Sequence, residues 1–251
     1  MFSVTGRISK IKQPRGGYIR PKMFDVENIT VDEELRPTEN IHGSIVGTAV
    51  DYLSRLESGT DPRNAFRISL MGARLAREED KAVSLLESVV SIDNDDTIVN
   101  ACKLVGYDAV YRAGYYTDVD SIEPDDDTIY NIRVLVKRVL AFFDKYGPVV
   151  KDGFTFEGGY TDIISSGDGD LLTEDTLWDL KVVKTGLTSK YTLQVLIYYL
   201  MGLNSIHPEF QNITKLGFVN PRLNKVYTLS VDKIPKEVIA EVNREVIGYT
   251  V

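Results

Sequence analysis

One cysteine, two histidines and one tryptophan in 251 residues set the first limits on this chain. Cys102, standing alone, excludes an internal disulfide framework and any four-cysteine zinc or iron–sulfur centre. His42 and His207 leave little room for histidine-rich metal chemistry. Long apolar runs are also missing. The longest, Val195–Leu203, falls far short of the roughly 20 residues that cross a bilayer. Met1-Phe2-Ser3-Val4 lacks the basic-then-apolar pattern of a secretory leader. There is no internal repeat and no low-complexity tract. These absences lead to the expectation of a reduced, cytoplasmic protein with no membrane partner.

With 43% apolar residues the chain can bury a real core, and its length permits one domain or two. The net charge of −8 argues against non-specific duplex binding over the whole surface. Local basic surfaces remain. Residues 1–22 carry Arg7, Lys10, Lys12, Arg15, Arg20 and Lys22 and no acid. Arg63, Arg67, Arg74 and Arg77 follow one another by four, seven and three, steps that keep all four near one face of a helix over 62–77. Arg15 and these four arginines are the candidate nucleic-acid contacts. A flexible arm and a solvated helix face are the plainer alternative.

Periodicity divides the chain. The segment 1–43 reads as a basic arm, irregular with a short strand or two. Residues 44–57 are amphipathic and helical, and 60–146 reads as mostly helical. Asp61-Pro62 starts one helix. Ala65–Arg77, Glu79–Val90, Thr97–Tyr107 and Asp125–Tyr146 continue the series, closed by Gly147-Pro148. The pattern then switches to period two. Gly153–Ile164, Asp168–Leu172 and Thr176–Val183 read as strands, 189–203 as a helix, Lys215–Val219 and Val226–Val231 as strands, and Pro235–Ile247 as a closing helix. The expected fold is α/β: a mixed central sheet with the core order helix, three strands, helix, strand. Residues 44–251 would form one domain carrying a helical insertion at about 60–146.

Within this order Asp168–Lys181 carries the most information. If Glu174-Asp175 form a two-residue turn, Thr173 faces Thr176, Leu172 faces Leu177, Leu171 faces Trp178, and Asp170 lies across from Asp179. Cross-strand Cβ atoms stand about 5 Å apart. Lys181, two residues past Asp179, shares its face, with Trp178 and Leu180 on the other. Two carboxylates so placed repel unless a divalent cation lies between them. A lysine beside them can orient a water or steady a developing negative charge. Asp162 is the rival to Asp170 but would need a longer connection, and Asp168 reads as a turn residue. Glu157 sits on the preceding strand and could point at the same site. In the following helix Gln194 and Tyr198 are four apart and share a face.

Asp170, eight residues, then Asp179-Leu180-Lys181 resembles the PD-(D/E)XK nuclease superfamily. A Gln194-x-x-x-Tyr198 helix directly after the Asp-x-Lys strand is similar to its RecB-like branch. Ser44-Ile45-Val46-Gly47-Thr48-Ala49-Val50-Asp51 is similar to that branch's first motif, with Asp51 where the family often has a metal-binding histidine. The matched motifs cover roughly residues 44–57 and 153–203. The resemblance implies a divalent-metal-dependent nuclease acting on phosphodiester bonds, with DNA favoured over RNA. Asp170 and Asp179 would hold Mg²⁺ or Mn²⁺, helped by the carbonyl of Leu180 and by Asp51. Lys181 would position water or stabilise charge, and Gln194 and Tyr198 would align the phosphate. Phage defence, phage replication and repair all use such modules. The rival expectation is a catalytically silent nuclease-fold subunit for DNA binding or assembly. A homo-oligomer or a partner protein is left open.

Overall fold

The computed structural model describes residues 1–29, 31–116 and 118–249. In chain order its strands and α-helices are β1 (Phe2–Ser3), α1 (Val4–Ile8), β2 (Asp25–Asn28), α2 (Gly43–Glu57), α3 (Pro62–Ala65), α4 (Arg67–Ala76), α5 (Glu79–Glu87), α6 (Asp95–Gly106), α7 (Asp108–Ala113) and α8 (Asp126–Tyr146). Then come β3 (Lys151–Phe154), β4 (Ile164–Ser166), β5 (Gly169–Leu172), β6 (Thr176–Leu180), α9 (Ser189–Leu203), β7 (Lys215–Asn220), β8 (Lys225–Ser230) and α10 (Lys236–Glu241). The fold is α/β. The chain divides into two compact units, Met1–Ile29 with Phe142–Val251, and Thr30–Ala141.

The first unit is built on a mixed six-stranded sheet in the order β2-β8-β7-β6-β5-β3. Only β6 and β7 run parallel, and α9 makes the crossover between them. A separate two-stranded sheet pairs β1 with β4. The face of β6 that carries Leu177 packs under α9, where Leu193, Val195, Leu196 and Ile197 are fully buried. The opposite face buries Trp178 against Phe142 and Tyr146, with ring centroids at 4.8 and 5.2 Å. Its indole N–H donates to Thr173 Oγ1 at 3.0 Å. Gly217 lies directly beneath: a Cβ there would sit 2.2 Å from the indole. The first 29 residues belong to this unit. Val4, Ile8, Ile19 and Phe24 are in its core, β2 forms one edge of its sheet, and Arg7 donates to the carbonyls of Glu245 and Val246.

Several boundaries differ from the sequence reading. The strand expected over 153–164 is two short strands with a loop between them. Gly158 turns at φ +89°, and Gly159 packs on the Met201 carbonyl so closely that a Cβ would lie 2.1 Å from it. Phe156 enters the core from this loop, which is why the alternation looked like a strand. β6 stops at Leu180 rather than Val183. Buried Asn220 donates through Nδ2 to the carbonyls of Val183 and Thr185, at 3.0 and 3.4 Å, and so holds the chain as a loop there. The closing helix is α10 followed by a π-helical turn over Val242–Ile247.

The second unit is helical, from α2 through most of α8. The single helix expected over 62–77 is broken at Phe66, whose backbone leaves the helix (φ −100°, ψ 22°) so that its ring can be buried edge-on to Tyr52 at 5.3 Å. Arg63 is therefore on α3 and Arg67 and Arg74 on α4. Arg77 ends α4 in the left-handed region, so the four-arginine face is not continuous. In this unit's core buried Asp108 accepts from Tyr52 Oη at 2.7 Å and Ser69 Oγ at 2.6 Å, with Arg112 Nε at 3.6 Å. Cys102 is buried, and that burial pushes its thiol up to about 12.

Candidate active site

The hairpin β5–β6 has the register that its short turn dictates. Leu171 pairs with Trp178 and Leu172 with Leu177, and Thr173 N–H donates to the Thr176 carbonyl at 3.0 Å. One step further along the ladder come Asp170 and Asp179. Successive N–H groups of a strand point to alternate sides. Lys181 N–H goes to the Val219 carbonyl on β7, so Leu180 N–H points toward β5. There it meets the Asp170 carboxylate, which accepts it at 2.6 Å. Asp170 thus takes a backbone donor at the open end of the hairpin and is fixed at the site's edge.

Asp179 is 2% exposed. Its Oδ2 lies 2.7 Å from Lys181 Nζ, a close ion pair between two largely buried side chains. Lys181 Nζ also stands 3.3 Å from Gln194 Oε1 and 5.1 Å from the centre of the Tyr191 ring. Gln194 Nε2 donates to Tyr198 Oη at 2.9 Å, and the Tyr198 ring stacks on Phe156 at 5.0 Å. The four side chains form a continuous line from β6 into α9: Asp179, Lys181, Gln194, Tyr198.

Electrostatics follow from burial and from the two acids. Burial outweighs the pull of Lys181 and raises the Asp179 carboxyl above the usual carboxylate range. Burial alone would lower Lys181, but Asp179 and then Asp170 overcome it and hold the ammonium above its ordinary value. Tyr198 is pushed far above an ordinary phenol by burial, then by the charge of Asp179, with smaller contributions from Asp170 and Asp168. Lysine and tyrosine therefore both keep their protons at neutral pH. Asp179 and Asp170 thus both act on one ammonium.

The donors that could take a hard divalent cation are the carboxylate oxygens of Asp170 and Asp179 and the backbone carbonyl of Leu180. Among the described residues no cluster of three or more His, Cys, Asp or Glu side chains is placed to hold a metal ion. Asp51 lies on α2, in the helical unit. Glu157 is drawn elsewhere, hydrogen-bonded to Thr155 and 3.3 Å from His207 Nε2. Asp162 and Asp168 are exposed.

Two residues that shape the site carry no sequence signature. Tyr191 lends its ring to Lys181, three residues before the expected glutamine. Asn220 pins the loop between β6 and α9 from the end of β7 and becomes legible only once β7 is known to lie beside β6. Comparisons with protein-family models, with curated proteins and with solved structures return no match to this chain.

Proposed function

We propose that this protein is a divalent-metal-dependent nuclease that hydrolyses phosphodiester bonds in DNA, of the RecB-like PD-(D/E)XK type. The observation that carries the reading is the buried Asp179–Lys181 ion pair, with the Asp170 carboxylate held across the hairpin by the Leu180 N–H. Asp170, Asp179 and the Leu180 carbonyl would hold Mg²⁺ or Mn²⁺. Such an ion, when bound, supplies an acidified water and neutralises charge on the phosphate. Lys181 keeps its proton and offers it as a hydrogen-bond donor to the oxygen that gains charge as the phosphate is attacked. Gln194 fixes the height of that ammonium through Oε1 and passes the constraint to Tyr198. Tyr198 remains a donor at the rear of the pocket. Asp170, tied to the Leu180 N–H, cannot swing away from the centre.

The lone sealed thiol suits a reduced cytoplasmic setting. Arg67 and Arg74, two turns apart on α4, are the helical unit's candidates for phosphate contact. A cleavage assay on single- and double-stranded DNA and on RNA, with Mg²⁺ and Mn²⁺, tests the reading. Cleavage by the wild type and its loss in Asp179→Asn support it. Tight nucleic-acid binding with no cleavage under any of these conditions would instead favour a silent nuclease-fold subunit.

A further inference from the structure

The loop over residues 14–22 combines an anchored base with free cations. Gly16 and Gly17 both adopt the left-handed region, at φ +92° and +91°, and Gly17 N–H closes a turn on the Pro14 carbonyl at 2.9 Å. That turn presses Gly17 against the start of α9, where a Cβ on it would stand 2.6 Å from Ser189 Cβ. A glycine is required by both conformation and space. Thr192 Oγ1, on the next turn of α9, donates to the Ile19 carbonyl at 2.6 Å, and Ile19 is fully buried. Tyr191, between these two anchor points, is the residue whose ring faces Lys181. The loop and the reaction centre are thus attached to the same end of one helix.

Above this base, Arg15, Arg20 and Lys22 are exposed and, among the described residues, none pairs with a carboxylate. With Gly16 and Pro21 they line an open concavity of about 490 Å³. It is shallow and open to solvent, a shape that an extended chain can lie across. In a chain of net charge −8, three exposed cations with no acidic partner among the described residues concentrate positive potential at one place on the surface, which draws polyanions to it. The backbone between them is anchored on α9 at Gly17 and Ile19, so the cations rise from a held segment of chain.

We propose that Arg15, Arg20 and Lys22 form a cradle for the phosphates of a single nucleic-acid strand, which enters the reaction centre along the first turns of α9. This rests on the nuclease reading for its substrate class. The strand, rather than a free phosphate, is favoured because the hollow is open and its cations are spread along one segment.

The test is the affinity of the full-length protein for a labelled single-stranded oligonucleotide, followed by fluorescence anisotropy in EDTA across a salt series. In the triple variant Arg15→Gln/Arg20→Gln/Lys22→Gln, affinity should fall at least ten-fold. The slope of log affinity against log salt should flatten by about two, each single-strand phosphate contact contributing about 0.7. A charge-matched control, Lys215→Gln/Lys233→Gln/Arg244→Gln, removes cations already paired with Asp175, Asp25 and Glu245 and should stay within two-fold of wild type. Equal losses in both variants would reduce the effect to net charge and overturn the cradle. So would an unchanged salt slope, or competition by inorganic phosphate as effective as by unlabelled strand. No hydrolysis enters these titrations. Specific loss of binding in a protein that cleaves nothing would keep the cradle and remove the nuclease.

Discussion

Lys181 Nζ lies 2.7 Å from Asp179 Oδ2, and Asp170 is the second acid that acts on the same ammonium. The pair is therefore asymmetric. If Asp179 is removed, Lys181 keeps Asp170 and Gln194. If Lys181 is removed, two carboxylates are left facing each other with one of them buried.

That asymmetry sets separate expectations for activity and stability. Asp179→Asn and Lys181→Met should each lower hydrolysis by at least about 10²–10³-fold. Lys181→Met should cost about 3–5 kcal/mol of folding stability, the usual result of stranding a buried charge. Asp179→Asn should cost less than that, because Asp170 and Gln194 still act on the ammonium. Activity assays beside urea denaturation of both variants check this. Wild-type cleavage in either one would discard the assignment.

Metal dependence should follow the donor set. With oxygen donors only, Mg²⁺ and Mn²⁺ should support turnover. Ca²⁺ should bind but turn over poorly, because its looser coordination misplaces the water. Isothermal titration with Mn²⁺ should lose its signal in Asp170→Asn and in Asp179→Asn. Activity that tracks stoichiometric zinc in the purified protein would contradict the carboxylate site.

Tyr198→Phe isolates the end of the polar line. The ring can still stack on Phe156, but Gln194 Nε2 loses its acceptor. A stability loss of about 1–2 kcal/mol is expected. The turnover number should fall more than KM changes, since the glutamine that holds Lys181 is freed. A variant with unaltered turnover would confine Tyr198 to packing.

Asp108 provides a pH dependence away from the candidate site. Burial, opposed by hydrogen bonds from Ser69 and Tyr52, raises its carboxyl above the unfolded value near 3.9. The folded state then holds the proton more tightly than the unfolded state. The stability that Asp108 contributes is full below the unfolded value and is lost as pH rises through the folded one. Wild type should therefore lose stability relative to Asp108→Asn as pH goes from about 4 to about 7. Parallel denaturation curves for the two proteins at both pH values would rule this out.

Gly217→Ala should destabilise through a single contact. The new methyl would fall within 2.2 Å of the Trp178 indole, packed in turn on Phe142 and Tyr146. A cost of about 1–3 kcal/mol is expected from overpacking of this kind. Calorimetric melting of the variant gives the answer.

The hairpin was legible because two constraints coincide: a two-residue acidic turn fixes register, and period two then places Asp170, Asp179 and Lys181 without further information. α9 was equally legible from its apolar surface broken by Gln194, and of the two candidate caps, Thr188 and Ser189, Thr188 is the one that accepts from the Tyr191 N–H. What escaped depends on residues distant in sequence. Phe156 alternates like a strand residue, but its loop is dictated by Gly159 meeting Met201. Phe66 breaks a helix with good local propensity because Tyr52 offers its ring a buried edge. The N-terminal segment, polar and glycine-rich, gave no hint that Ile19 and Gly17 would dock on α9, since the complementary surface belongs to residues 189–192.

Trp178 and Asp179 are neighbours in sequence on opposite faces of the same strand, and Trp178 is the only indole in the chain. Any shift of β6 that accompanies occupancy of the acidic pocket must also move this indole against Phe142, Tyr146 and Thr173. The molecule thus carries its own optical probe one peptide unit from the candidate centre. Its emission can follow ligand arrival in real time, with no label and no competing tryptophan signal.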